Sequence, residues 1–132
     1  MKKMINKISK NMKVYHSTGV DETEIINAEI DLGVTFSDEY KEYLREYGAI
    51  SFGSHEFTGL NVDNYTNVVN ITKQEREMAD KFPENCIVIE NLGIEGILIL
   101  QDNKGYIYQY SKAIGLSKIF DSLSDYFLSC VE

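Results

Sequence analysis

The stretch from Ile30 to Ile50, IDLGVTFSDEYKEYLREYGAI, constrains the fold more than any other part of the chain. Ser37 is a suitable N-cap, and Asp38 and Glu39 follow it in the first turn, where the helix dipole favours negative charge. Gly48 stands where a left-handed C-terminal cap belongs. Apolar side chains recur between these caps at helical spacing, at Tyr40, Tyr43, Leu44 and Tyr47. The run therefore predicts an amphipathic helix with one side facing a core.

The opposite face of this predicted helix is acidic. It carries Glu39, Glu42 and Glu46, whose negative charge is partly offset by Lys41 and Arg45. Carboxylates on the polar side of an amphipathic helix normally face water. We therefore expect this face to point to solvent or to a partner.

Charge is unevenly distributed along the 132 residues, whose formal net charge is −8. Residues 1–13 contain five lysines and no acid, whereas residues 14–132 contain eight Lys or Arg and twenty-one Asp or Glu. Such an acidic body disfavours binding to nucleic acid or anionic membranes and attracts a basic protein, although solubility alone also explains an acidic surface. The basic segment has no aromatic or Arg side chain to read bases, so we expect a solvated helical face there.

Composition is that of a globular protein, with 43% hydrophobic and 11% aromatic residues. We expect one domain over residues 1–132, in which residues 1–19 form a basic N-terminal helix and loop. No run of 18 apolar residues is present, and no apolar segment of a secretory signal follows the first lysines. These features indicate a cytoplasmic protein in which Cys86 and Cys130 are reduced core thiols.

Four further helices are predicted from apolar periodicity and end signals. The second begins at an Asp21/Glu24 capping box and ends near Gly33, and the fourth ends before Pro83 and contains a second box at Thr72–Glu75. The apolar positions are Met4, Ile5, Ile8 and Met12 in the first helix, Ile25, Ile26 and Ile30 in the second, and Ile119, Leu123, Tyr126, Phe127 and Val131 in the last. The fourth covers residues 67–81, and a loop is expected at 16–19.

Short β-rich runs predict the strands. Two are expected around Phe52 and Phe57, and three more at residues 86–90, 96–101 and 106–110, separated by segments rich in Asn and Gly. Close spacing favours an antiparallel meander, because parallel neighbours need a long crossover. The expected fold class is α+β, with a central mostly antiparallel sheet and helices packed against it.

Residues for catalysis or cofactor binding show no recognisable pattern. His16 and His55 are far apart and lack metal-ligand spacing, so we expect surface or loop histidines. Cys86 and Cys130 lie in apolar settings, where thiols react poorly. The glycines lack the Lys and Ser or Thr of a phosphate loop. We therefore expect no enzyme, no cofactor and no metal site.

Several spaced residues resemble the signature of the SUKH superfamily, which runs E-x-x-L-G-x-x-L-P-x-x-Y-x-x-F-L-x-x-Y-G. The matching residues are Glu29, Leu32, Gly33, Tyr40, Leu44, Tyr47 and Gly48, followed by Val68, Val69, Thr72, Arg76, Ile87, Val88, Ile89, Gly93, Gly96, Ser124, Phe127 and Leu128. The likeness covers about residues 20–131. Phe36 and Ser37 replace the usual Leu-Pro, and residues 49–53 replace a glycine-rich, often Trp-containing stretch.

The resemblance implies a non-catalytic, SUKH-like domain. The superfamily includes eukaryotic cell-wall assembly regulators and many bacterial immunity proteins, which are encoded beside polymorphic or contact-delivered toxins, often nucleases, and neutralise them by direct binding. The leading hypothesis is therefore an immunity protein, or antitoxin, whose partner is the cognate toxin domain. The alternative is an intracellular regulatory or scaffold module that binds another protein or a peptide. An unrecognised enzyme is the least favoured reading.

An acidic surface would suit a nuclease toxin, because a nuclease presents a basic groove to phosphates. The carboxylates proposed to contact the toxin are Glu39, Glu42 and Glu46 on the third helix, and Glu56, Asp63, Glu90, Glu95 and Asp102 on loops or strand ends. For any single one of them, an ordinary solvated carboxylate is the favoured interpretation. Residues predicted to be core instead are Tyr40, Leu44, Tyr47, Ile119, Leu123 and Phe127.

Overall fold

The computed structural model describes residues 1–131 and shows an α+β fold with two antiparallel sheets in that range, rather than one central sheet. The helices are α1 (Lys2–Ser9), α2 (Glu22–Leu32), α3 (Asp38–Tyr47), α4 (Val68–Met78) and α5 (Leu123–Ser129). The first sheet contains β1 (Val14–His16), β2 (Ile50–Phe52) and β3 (His55–Glu56) in that order. The second contains β4 (Cys86–Asn91), β5 (Leu98–Asp102), β6 (Ile107–Ser111) and β7 (Gly115–Phe120) in that order. None of the helices in the described range is long and apolar enough to cross a membrane.

The predicted helix starts of α2 and α3 are confirmed. The Asp21 carboxylate accepts the Glu24 N–H at 2.9 Å, and the Ser37 hydroxyl accepts the Tyr40 N–H at 3.0 Å. Gly33, with φ +67°, closes α2 in the left-handed conformation. Gly48 also has a positive φ of +73°, but its ψ of −68° lies outside the left-handed helical region. Side-chain caps are local in sequence, which explains why they could be predicted.

Two details of the helices were predicted wrongly. The N-cap of α4 is Asn67, and Thr72 lies inside the helix, where its hydroxyl accepts the Val88 N–H at 3.1 Å. In α2, Ile26 and Ile30 are 48% and 73% exposed. The buried side of α2 consists instead of Ile25, Ala28 and Leu32. Spacings of three and four residues place these three on one face and turn Ile26 and Ile30 away from it.

The predicted meander is confirmed, but it has a fourth strand. Residues 115–120 form β7, where the sequence suggested the start of the last helix. Ile119 is therefore a half-exposed strand residue, 37% accessible, and not part of the core. The helix begins only after Ser122, whose hydroxyl accepts the Asp125 N–H at 3.0 Å. Ile119 and Leu123 are four residues apart, a spacing that imitates a helix across the strand–helix junction.

A second strand missed by the sequence is β1, which lies just before the expected loop at residues 16–19 and overlaps it at His16. Its three residues pair antiparallel with β2, with His16 opposite Ile50. Three residues are too few to show an alternating pattern, so this strand had no readable sequence signal.

The second sheet is covered on both faces. Ile87, Ile89 and Ile99 face the main core, which also contains the buried aromatic residues of α3 and α5. The intervening residues Val88 and Leu100 face a second cluster beneath α4. Successive side chains of a strand point to opposite faces, so a sheet buried on both sides reads as a continuous apolar run.

One segment after β3 joins the two sheets. The Thr58 N–H donates to the Ile89 carbonyl at 2.8 Å, and its hydroxyl donates to the Val88 carbonyl at 2.7 Å. The Tyr43 hydroxyl donates to the Thr58 carbonyl at 2.6 Å and accepts the Ile50 N–H at 2.9 Å. The register of β4 shifts in this region, between Val88 and Glu90. Such a bulge changes the direction of nearby side chains, and it lies where Glu90 approaches β3.

Candidate functional site

A groove opens between the first sheet and the turn that joins β4 to β5. Two adjoining pockets of about 410 and 300 Å³ form it and share Glu56 and Thr66. Its rim carries three exposed apolar or aromatic side chains, Tyr15, Tyr65 and Ile94, which are 56%, 66% and 62% accessible. The remaining lining residues are His16, Ser17, Ala49, Ile50, Ser51, Ser54, His55, Phe57, Thr58, Val62, Glu90, Asn91 and Leu92. We call this feature the acidic groove, because the carboxylate of Glu56 lies on its rim and the carboxylate of Glu90 lies on its floor.

Glu56 and Tyr65 lie together on the rim. Hydrogen bonding with Glu56, together with its negative charge, raises the pKa of the Tyr65 phenol. Both side chains are exposed, so they are accessible to a partner. A carboxylate beside an aromatic ring can bind an Arg or Lys side chain by charge and by stacking on the ring.

Glu90 forms the floor of the groove and is only 3% exposed. Its carboxylate lies 2.9 Å from Nδ1 of His55 and accepts a short hydrogen bond from the Tyr126 hydroxyl. Burial, together with the neighbouring Glu90 carboxylate, raises the pKa of Tyr126 well above its usual value, so the phenol keeps its proton. This network joins β3, β4 and α5 at the base of the groove.

Cys130, the C-cap of α5, lies beside this network. Its sulfur, the Glu90 carboxylate and a ring nitrogen of His55 all fall within 4.8 Å of one another. Burial raises the pKa of the Cys130 thiol to about 11, and Cys86, buried elsewhere, has a pKa raised to about 12 for the same main reason. Both cysteines are free and buried, as their apolar settings predicted. Neither thiol has the lowered pKa of a nucleophile.

The loops that border the groove contain unusual backbone. Among the described residues, positive φ at a residue other than glycine occurs at Asn61, Asn64 and Glu95, with values of 60°, 61° and 52°. Asn adopts this conformation readily, but Glu does so at a cost of roughly 1 kcal/mol. Asn64 precedes Tyr65 and Glu95 follows Ile94, so this backbone positions both rim side chains.

Each of the three carboxylates of α3 has a partner within the chain. Glu39 is only partly exposed, and its carboxylate accepts the Leu123 N–H at 2.6 Å and the Ser124 N–H at 3.0 Å. Its predicted position on an open face is therefore wrong. Glu42 is exposed and lies 3.8 Å from the N-terminal amine of Met1. Glu46, also exposed, lies 3.9 Å from Nζ of Lys2. Met1 and Lys2, at the start of α1, thus approach the acidic side of α3.

The other predicted contact residues divide into two groups. Glu56 and Glu90 line the groove, whereas Asp63 and Glu95 are exposed on the two loops that border it. Asp102 lies apart, in the β5–β6 turn, where it accepts the Lys104 N–H and the Tyr106 N–H at 3.0 Å each. A turn role accounts for Asp102. A contact role for any of the eight carboxylates remains a prediction.

Sequence reasoning missed His55, Tyr65 and Ile94. His55 was expected on the surface or in a loop, but it is half-buried in β3 and bound to Glu90. The sequence separation of 35 between His55 and Glu90 hid this pair. A signal did exist for Tyr65 and Ile94, because each is a large side chain beside a turn residue, Asn64 or Gly93, with no helical or strand periodicity to bury it.

Comparison with known proteins gives the fold and the family. A solved structure described as a protein from Pseudomonas syringae pv. tomato superposes with a TM-score of 0.78 and 15% sequence identity, covering 99% of this chain and 98% of that one. At that identity the likeness shows the fold alone. The comparison with curated proteins gave no match. The family model SUKH_5, described as SMI1-KNR4 cell-wall, matches residues 1–132. The chain therefore belongs to this family of the SUKH superfamily.

Proposed function

We propose that this protein is an immunity protein that neutralises a polymorphic or contact-delivered bacterial toxin by binding its toxic domain through the acidic groove. Membership of the SUKH superfamily supports this assignment, because the superfamily includes many such proteins. The observation that carries the choice of surface is the groove itself, with Glu56 and Tyr65 together on its rim and Glu90 on its floor.

The rim has the chemistry of a binding hot spot. Tyrosine and arginine dominate the energetic centres of protein interfaces, and an exposed tyrosine beside a carboxylate offers both stacking and charge. Tyr15 and Ile94 extend the apolar area to either side of Glu56. We infer that a basic side chain of the toxin enters beside Glu56 while apolar groups cover the rim.

Charge pairing within the chain favours the groove over α3. Glu42 forms a salt bridge with the Met1 amine and Glu46 forms one with Lys2. The carboxylate of Glu39 accepts hydrogen bonds from α5. Within residues 1–131, by contrast, Glu56 forms no salt bridge with Lys or Arg, nor do Asp63 and Glu95. Unpaired carboxylates contribute more to the electrostatic attraction of a basic partner than paired ones do. We therefore place the contact at the groove and its two bordering loops.

A nuclease is the partner class that fits this surface best, because its substrate-binding groove must be basic. Covering that groove with acid would exclude the phosphate backbone. We predict that the protein binds its toxin in the cytoplasm.

Binding to the toxin domain encoded beside this chain tests the proposal. The double variant Glu56→Lys, Tyr65→Ala should weaken binding by about thirtyfold or more, as expected for loss of a hot spot worth about 2 kcal/mol. The matched control is Glu77→Lys, Tyr106→Ala, which changes an exposed Glu and an exposed Tyr away from the groove. The dissociation constant should be measured by calorimetry, and protection should be measured as growth of cells that express the toxin.

Three outcomes would contradict parts of this proposal. Wild-type affinity in the groove variant would show that the groove lies outside the interface. Loss of binding in Glu42→Lys alone would show that the interface lies on α3. Failure of the wild-type chain to protect cells from the adjacent toxin would reject the immunity function and favour a regulatory or scaffold module.

A further inference from the structure

We propose that His55, Glu90 and Cys130 form a binding site for a single divalent cation of the zinc type at the base of the acidic groove. The proposal does not depend on the immunity function. It departs from the expectation that the chain has no metal site, which rested on local ligand spacing alone.

The fold brings the three ligands together from three separate elements. His55 is in β3, Glu90 is in β4 and Cys130 caps the end of α5. Their ligand atoms lie within 4.8 Å of one another, whereas tetrahedral zinc with bonds of about 2.0–2.3 Å needs separations of about 3.3–3.6 Å. Side-chain rotations that move each ligand atom by about 1 Å therefore complete the geometry.

The ligand set selects the metal. A thiolate, an imidazole and a carboxylate together suit Zn²⁺, which accepts sulfur, nitrogen and oxygen ligands. Calcium and magnesium prefer oxygen ligands alone, so a site that contains His55 and Cys130 disfavours both. With Glu90 ionised and Cys130 as thiolate, the two negative charges match one dication.

The surroundings support the ligands as they do in known metal sites. Glu90 and Cys130 are 3% and 7% exposed, so few water molecules would have to leave these two side chains when the cation binds. The Tyr126 hydroxyl donates to the Glu90 carboxylate and holds its orientation, which is the usual task of a group behind a metal ligand. Within the described residues, no Lys or Arg forms a salt bridge with Glu90, whose carboxylate lies 2.9 Å from Nδ1 of His55.

The groove gives the ion access from solvent and leaves one coordination position open to a fourth ligand. His55 and Glu90 line the groove, so an ion can enter from solvent without opening the core. Three protein ligands leave one position of a tetrahedral site free for water or for a group supplied by a partner. Bound metal would connect β3, β4 and α5 and make the floor of the groove more rigid.

The test uses the purified full chain after treatment with a chelator. Titration with Co²⁺, a spectroscopic substitute for Zn²⁺, should give one equivalent of binding, the visible absorption of a tetrahedral complex, and a near-ultraviolet sulfur-to-cobalt band. Zn²⁺ should displace the cobalt and raise the melting temperature in proportion to the logarithm of its concentration. Absence of the sulfur band, or of any saturable binding in the wild-type chain, would overturn the proposal whatever the variants do.

The chain supplies its own matched controls, because it has two histidines and two cysteines. Cys130→Ser and His55→Gln should each weaken Co²⁺ binding at least tenfold, and Cys130→Ser should also remove the sulfur band. Cys86→Ser and His16→Gln should bind as the wild type does. Equal loss in His16→Gln, or an unchanged sulfur band in Cys130→Ser, would show adventitious surface binding and reject the site. Circular dichroism of each variant checks that it is folded.

Discussion

The carboxylate of Glu39 in α3 accepts hydrogen bonds from the backbone N–H and the hydroxyl of Ser124 in α5, at 3.0 and 2.8 Å. The same carboxylate accepts the Leu123 N–H at 2.6 Å. Glu39 therefore caps the N-terminus of a helix 84 residues away in sequence. The charge satisfies N–H groups that have no partner within the helix and interacts favourably with its dipole.

Replacement of Glu39 by Ala should lower the free energy of unfolding by about 2–3 kcal/mol, because three hydrogen bonds to a charged group are lost together. Urea unfolding followed by circular dichroism measures the change. The control is Glu42→Ala on the same helix, which removes only an exposed pair with the N-terminal amine and should cost about 0.5 kcal/mol or less. Similar values for the two variants would contradict the capping role.

Replacement of Tyr43 by Phe should also be destabilising, by about 1–3 kcal/mol. The change leaves the ring in place but removes the hydroxyl that serves both the Thr58 carbonyl and the Ile50 N–H, and both groups are buried. Tyr15→Phe is the control, since Tyr15 is 56% exposed. A shift in the urea midpoint for Tyr15→Phe as large as that for Tyr43→Phe would show that the hydroxyl bridge contributes little.

Stability should fall in alkaline solution. Burial raises the pKa of Tyr40 and Tyr43 above the ordinary value of 10.0, and burial together with Asp102 raises the pKa of Tyr108 to about 12. The unfolded chain then loses these protons at lower pH than the folded chain does. The stabilisation is complete below about pH 10 and is lost as the pH rises from there towards about 12. The buried thiol of Cys86, with its pKa raised from 9.0 to about 12, adds a loss that begins near pH 9.

Urea midpoints measured at about pH 8 and about pH 10.5 test this dependence. Each fully buried phenol contributes a slope of up to about 1.4 kcal/mol per pH unit once the unfolded-state phenols have ionised. Tyr43→Phe should have a shallower slope than the wild type, because one buried phenol is gone. A constant midpoint across this range would refute the assignment.

Replacement of Glu95 by Gly should stabilise the chain by up to about 0.5 kcal/mol. Glu95 has φ +52°, a conformation that glycine adopts without strain, although the extra freedom of glycine in the unfolded chain offsets part of the gain. Glu84→Gly, at another exposed loop Glu, should be neutral or destabilising because φ is not positive there. Thermal unfolding compares the two. Destabilisation by Glu95→Gly would mean that the side chain contributes to the fold.

The features that could be predicted from the sequence are those with short-range causes. Ser37 and Asp21 cap helices through N–H groups three residues away, and Gly33 ends α2 by its own backbone freedom. The apolar stripe of α3 was read correctly because all its members belong to one helix. The meander from β4 to β6 followed from turn residues spaced too closely for a crossover.

The features that were missed depend on contacts between distant residues. Glu39 looked like a solvated carboxylate because its partner, Ser124, is 85 residues away. His55 could not be assigned to Glu90 for the same reason. Ile119 was placed in a helix because the sequence cannot show that it belongs to β7, paired with β6, rather than to the helix that follows. The groove likewise depends on tertiary packing.

The Thr58 segment, anchored by Tyr43 and β4, gives the groove a wall that belongs to the packed interior. The proposed toxin partner would therefore meet a preformed surface, and little conformational entropy would be lost on binding. Tyr65 and Ile94, by contrast, are exposed side chains on the segments that border the groove. New side chains at those two positions could redirect recognition towards a different toxin while the framework keeps its stability.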